Sequence, residues 1–265
     1  MEPESANESM SEMEEAPKPR SFFSRIGGVY ASPRDAFGEI GRSPRVLVPM
    51  VILIIIGLLV GVYLSKNLDV ESMLASRLES AVQQGSITQQ QMDQQLAMMS
   101  KFAGLQLILG SMISSLLLAL VIAGYAKLFS IFSGAENRFK PLLSVTIYVL
   151  IAISVIQSGL TILIMQLKGP GEVDLAHVGS VVASSLGAIL TSLMGDDALP
   201  KFVMGLANAV DVFAIWTIVL LAIGYSVVSK RLKTGTAALW LGITYAIIAM
   251  ISAAVSSIFN VSGSL

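Results

Sequence analysis

Apolar residues gather along the chain in five long runs, at about 46–64, 103–132, 142–167, 212–228 and 237–259, separated by shorter polar stretches. A helix needs about 20 mostly apolar residues to cross the hydrocarbon of a bilayer, and no other open structure satisfies its backbone there. The pattern predicts an all-α, polytopic membrane protein with five transmembrane helices and its termini on opposite sides.

The segments between the runs carry patterns of their own. In 69–100, Asp69 is a candidate N-cap and Leu74, Leu78 and Val82 recur at helical spacing before the break at Gly85 and Ser86. Thr88 and Gln91 then form a capping box ahead of the stripe Met92, Leu96 and Met99, so a helical hairpin on the outer side is expected. Residues 178–194, rich in Ser, Gly and Ala, are too short and weakly apolar for a sixth span and read as interfacial or re-entrant. The acidic stretch 1–20 reads as a disordered tail, 21–44 as an amphipathic cytoplasmic segment, and 45–260 as the membrane domain.

Composition agrees, with 54% hydrophobic and only 13% charged residues, which excludes an ordinary soluble domain or a disordered chain. Charge placement sets the orientation. Twelve of the 17 Lys and Arg fall in the N-terminal segment and in the loops after the second and fourth runs. That asymmetry predicts a cytoplasmic N-terminus and a C-terminus outside. A net charge of -1 gives no reason to expect nucleic acid as a partner. With no Cys and a single His, thiolate and imidazole chemistry have little to work with.

The polar residues Ser154, Gln157, Ser158 and Thr161 share one helical face in the third run, where lipid cannot satisfy an amide. Interhelical hydrogen bonding is the favoured reading, with a solute path as the alternative. Small residues at Ala238, Gly242, Ala246, Ala249, Ala253 and Ser257, and at Gly110, Ser111, Ser114 and Ser115, predict close backbone packing. Asp211 is placed to cap the fourth membrane helix. Asp196 with Asp197, and Glu172 with Asp174 and His177, read as ordinary exposed acidic loops. No catalytic residue, cofactor or metal site is assigned.

Ahead of the first run, Phe22, Phe23, Ile26, Val29 and Tyr30 form one apolar helical face with Arg20 and Arg25 beside it. Such a helix is expected to lie on the inner leaflet. Ser32, Pro33, Arg34 and Asp35 then supply the start of a second short helix through Phe37 and Ile40. Phe22, Phe23, Ile26, Tyr30, Pro33, Arg34 and Phe37 are thus the candidate contacts to membrane lipid or to protein partners. Breaking both helices is expected to detach this segment without unfolding the spans.

The stretch from Gly27 and Gly28 through Val29, Tyr30, Ala31, Ser32, Pro33, Arg34, Asp35 and Ala36 to Phe37 resembles the start of the Yip (Ypt/Rab-interacting protein) domain family in its bacterial form. Gly134 to Leu143 resembles that family's loop before the third span. Asp211 to Trp216, Gly224 and the basic turn at Lys230 and Arg231 resemble its fourth and fifth spans. The resemblance covers 22–258 and implies a five-helix membrane protein with no known enzymatic activity. Eukaryotic relatives act in vesicle traffic and bind small GTPases. This chain lacks their Asp-Leu-Tyr-Gly-Pro and Gly-Tyr-Lys elements, which puts small-GTPase binding in doubt and favours a prokaryotic cell membrane. The expected function is a non-enzymatic integral membrane protein that binds protein partners or organises membrane. The alternative is a small-solute channel or transporter.

Overall fold

A computed structural model describes residues 21–68, 70–135, 137–168, 182, 184–195, 199–229 and 231–261. Asp69, Glu172, Asp174, His177, Asp196, Asp197, the tail 1–20 and the first part of 178–194 lie outside the described residues. The helices are α1 (Phe22–Ala31), α2 (Pro33–Arg42), α3 (Leu47–Asn67), α4 (Val70–Gln83), α5 (Gln89–Phe132), α6 (Phe139–Lys168), α7 (Leu186–Met194), α8 (Lys201–Ala209), α9 (Val212–Val228) and α10 (Thr234–Val261). All regular structure among the described residues is helical, apart from one isolated bridge between Ser185 and Asp211.

Four helices, α3, α5, α6 and α10, are long and apolar enough to cross a membrane. The fourth predicted run forms α9, an apolar helix of 17 residues. At about 1.5 Å per residue it reaches roughly 25 Å, the short end of what a bilayer requires. The expected outer hairpin differs from its reading in one respect. Its second arm does not end before the membrane run, and the two form a single 44-residue helix, α5. No proline lies near 100 and the helix runs on through Gly104, so a polar helix simply continues into an apolar one. Among its described residues the segment 178–194 holds the nine-residue α7, followed by a second nine-residue helix, α8, that the hydropathy pattern did not single out.

Two apolar clusters hold the bundle together. Leu53 of α3, Ala119 and Ala123 of α5, and Leu143, Ile147, Leu150 and Ile151 of α6 form one. The other joins α6 and α9 with Val29, Ala36, Phe37 and Ile40 from the two N-terminal helices. Phe22 and Ile26 pack against both.

The α3–α5 seam is set by small residues. A Cβ added to Gly57 would lie 2.7 Å from the Ser111 carbonyl oxygen, and one added to Gly61 would lie 2.7 Å from the Ile108 Cα. Ser111 Oγ donates to the Gly57 carbonyl at 2.7 Å. This is glycine-mediated approach of two helix backbones at four-residue spacing. Of the small-residue stripes expected on α5, Ser111 faces the seam, while Gly110 meets nothing within 4 Å. On α10 the outcome is similarly divided. Ala253 is buried against Gly205 of α8, whereas Gly242 faces open space and Ala246 is exposed.

Polar contacts bring loops to common ends. Arg231 Nη1 donates to the Gly134 carbonyl at 3.2 Å, joining the α9–α10 connection to the α5–α6 loop. Ser144 Oγ donates to the Arg45 carbonyl at 3.0 Å, adding the entry to α3 at the same end. These are the three segments richest in Lys and Arg, and this end is called the basic end below. At the other end Gln166 Nε2 donates to Tyr63 Oη at 3.2 Å.

Candidate functional site

The N-terminal segment folds as two helices back to back. Ser21 caps α1 by accepting the Ser24 amide at 3.3 Å. Pro33 occupies the start of α2 as expected, but Ser32 makes no side-chain cap bond. The sharp turn between them is possible because Gly28 carries no side chain: a Cβ there would meet the Ala36 Cβ at 3.0 Å.

Much of this pair's apolar face is turned into the bundle, while Phe23 and Tyr30 of the same face stay exposed. Val29, Ala36, Phe37 and Ile40 are fully buried within the bundle, with Phe37 at 0% exposure. The reason is geometric. Gly224 of α9 opens a notch in which a Cβ would lie 2.4 Å from Val145 Cγ1 and 3.3 Å from the Phe37 ring. Gly41 fits in the same way against Val228. An apolar helical face is satisfied as well by a protein groove as by acyl chains, and the notched α6–α9 surface supplies the groove. The expectation that both helices could be broken without disturbing the spans is therefore corrected, since their side chains are part of the core.

Depth follows from two contacts of Tyr30. Its hydroxyl donates to the Ala152 carbonyl at 2.6 Å, and its ring lies 6.1 Å from that of Trp216. Ala152 is roughly 20 Å along α6 from its basic end at about 1.5 Å per residue. Burial pushes the Tyr30 phenol above its ordinary pKa.

Arg25 is the anchor that sequence reasoning missed. It was read as flanking the apolar face, yet it is 1% exposed. Nε donates to Glu39 Oε1 at 3.2 Å, Nη1 to the Ser43 carbonyl at 3.1 Å and Nη2 to Ser43 Oγ at 2.6 Å. The fork of the guanidinium thus clamps α1 to the far end of α2. The available signal was the 14-residue separation of Arg25 and Glu39 across the turn at Ala31, Ser32 and Pro33, which is legible only once the pair is known to fold back.

The remaining candidate contacts separate by exposure. Phe22 is half-buried and stacks against Tyr148 at 5.6 Å. Ile26 and Pro33 are half-buried. Phe23 at 82% exposure, with Arg34 and Asp35, stays on the surface.

The face of Ser154, Gln157, Ser158 and Thr161 also requires a correction. All four are half-buried, and Thr161 Oγ1 donates back to the Gln157 carbonyl of its own helix at 2.9 Å. Among the described residues none of the four side chains bonds to another helix. Short hydroxyl side chains can satisfy themselves on the preceding turn, which removes the need for a partner. Interhelical polar fastening occurs elsewhere, where Thr146 Oγ1 lies 2.7 Å from Tyr225 Oη. Because Thr146 also donates to the Leu142 carbonyl, the tyrosine is the donor in that pair.

Asp211 caps α9 as expected, accepting the Ala214 amide at 2.9 Å. Its second oxygen accepts the Ser184 hydroxyl, and the Ser184 carbonyl accepts the Val212 amide at 3.0 Å. Asp211 thereby ties the segment leading into α7 to the head of α9. Tyr245 of α10 donates to the Ala209 carbonyl at 2.8 Å, which fastens α8.

The three stretches noted for their family likeness touch one another: Tyr30 lies against Trp216, Phe37 against Gly224, and Arg231 donates to the Gly134 carbonyl. A family model described as the Yip1 domain matches residues 27–256, nearly the whole chain. No curated protein and no solved structure matches it. With its α-helical bundle and the docked motif of α1 and α2, the chain belongs to the Yip1 domain family of membrane proteins.

Proposed function

We propose that this is a non-enzymatic five-span protein with a cytoplasmic N-terminus, which binds protein partners or organises membrane at its basic end. The carrying observation is the docked α1–α2 pair. Its anchoring groups, Arg25, Tyr30 and Phe37, are used internally, while Phe23, Arg34 and Asp35 are held outward on a rigid support. Exposed aromatic and charged groups on one rigid hairpin suit recognition of another surface. Five spans accord with α9 running between the two ends, and the Lys and Arg asymmetry supports the orientation. The missing eukaryotic elements favour a prokaryotic cell membrane and weigh against a small GTPase as partner.

Deletion of 21–41 would remove core side chains, so the test uses point changes. Crosslinking in native membranes followed by mass spectrometry should capture partners with the intact chain and lose them in a Phe23→Ala, Arg34→Gln variant. Identical captures from both would sink the reading.

One observation favours a second reading. Gln157 carries an amide within an apolar helix and has no side-chain partner among the described residues. Water along a solute path would satisfy it. Under that reading Gln157→Leu lowers flux in liposomes; under a packing role it alters only stability.

A further inference from the structure

We infer that the basic end carries a binding site for the headgroup of an anionic phospholipid, built from Lys127, Arg138, Lys140, Arg231 and Lys233. The inference concerns different residues from the recruitment surface and stands whether or not that reading holds. Two contacts assemble the site from separate parts of the chain. Lys127 Nζ donates to the Asn137 carbonyl at 2.6 Å, and Arg231 Nη1 donates to the Gly134 carbonyl at 3.2 Å. Both cations are thereby fixed on one short loop, whose next residues include Arg138 and Lys140.

A carbonyl positions a cation without neutralising it. Lys127 has used one of three donors and Arg231 one of five, so the rest remain for an anion. Arg138, Lys140, Arg231 and Lys233 are exposed, and among the described residues none of the five cations has an acidic partner. Glu136 and Lys230, the other charged residues of these connections, lie outside the described residues.

What surrounds the charges selects the anion. The last turns of α5 expose Leu128, Ile131 and, at 86%, Phe132 beside them. Trp240 of α10 stacks between Tyr125 and Phe129 at 4.7 and 4.1 Å, and Tyr125 Oη lies 2.5 Å from Thr244 Oγ1. Amphipathic aromatic rings settle at the level where hydrocarbon meets headgroups. A phosphodiester on acyl chains meets both halves of this surface at once, whereas a soluble polyanion would leave the apolar half uncovered. Basic pockets between membrane helices at that level bind such headgroups.

The test uses the full chain reconstituted in mixed phosphatidylcholine and phosphatidylglycerol bilayers. Spin-labelled versions of each lipid then report selectivity at the protein boundary. The wild type should prefer phosphatidylglycerol, and Arg138→Gln, Lys140→Gln, Lys233→Gln should reduce that preference about fivefold or more. This triple variant leaves both carbonyl anchors intact, and thermal unfolding in pure phosphatidylcholine checks its fold. Lys66→Gln, Lys101→Gln, Lys201→Gln removes equal charge elsewhere and should leave the preference unchanged. Equal preference in the wild type and the basic-end variant, or an equal loss in the second triple, overturns the proposal. Should the basic-end variant not fold, the wild type decides alone: raising salt from about 0.1 to about 1 M must abolish its preference, and persistence would overturn the site.

Discussion

Two helical hairpins of similar size sit at opposite ends of this molecule and are held by different means. At the basic end, α1 and α2 are clamped by a buried arginine and seated in a glycine notch. At the other, α4 meets the first turns of α5 through the capping box of Thr88 and Gln91, the positive-φ Gly85 and the buried Met92. The first is stabilised by side chains far apart in sequence, the second largely by neighbours within a few residues. Damage should therefore spread through the bundle from the first hairpin and stay local in the second.

The sharpest way to break this contrast is Arg25→Met. Removing the buried partner of this ion pair takes away its bond to Glu39 and its two bonds to Ser43, a loss of about 3–5 kcal/mol. Thermal unfolding in detergent should show a single, strongly lowered transition for the whole bundle. A transition confined to the N-terminal helices would refute the shared core. Gly224→Val comes next, because its Cβ overlaps Val145 and the Phe37 ring. Overpacking of this kind costs about 1–3 kcal/mol, whereas Gly242→Val, with open space around it, should change little by the same measurement.

Gly61→Val sharpens the comparison within one seam. It should separate α3 from α5 and lower stability by a similar amount, while Gly110→Val on the open face of α5 should not. Equal effects would mean that the seam is not formed by these backbones. The smallest change belongs to the distant hairpin. Thr88→Ala removes a cap worth about 1 kcal/mol, and hydrogen exchange should rise at the first turn of α5 with the main unfolding transition unmoved. A shift of that main transition would show the hairpin to be coupled to the bundle after all.

Much of the architecture was legible in the residues. The apolar runs became helices, the second of them extended back to Gln89, Asp211 and Thr88 cap where their spacing said they would, and Gly85 takes the turn. The small-residue readings were half right. A glycine is equally permissive on an open face and in a seam, so Gly110 and Gly242 carried the same signal as Gly57 and Gly61 but not the same role. On the polar face of α6, Thr161 found its partner one turn back on its own helix.

The sequence by itself determined an α-helical membrane protein, the capped starts of α5 and α9, and its family, because hydropathy, capping and turn chemistry act over a few residues. Only the tertiary structure decided that Val29, Ala36, Phe37 and Ile40 of α1 and α2 are core and that Arg25 is a buried clamp. It alone brought Lys127 and Arg231 to one loop. An apolar face lowers its free energy equally well against lipid or protein, and a cation against water or a carbonyl. The choice depends on which groove lies within reach, and that is a property of the assembled bundle.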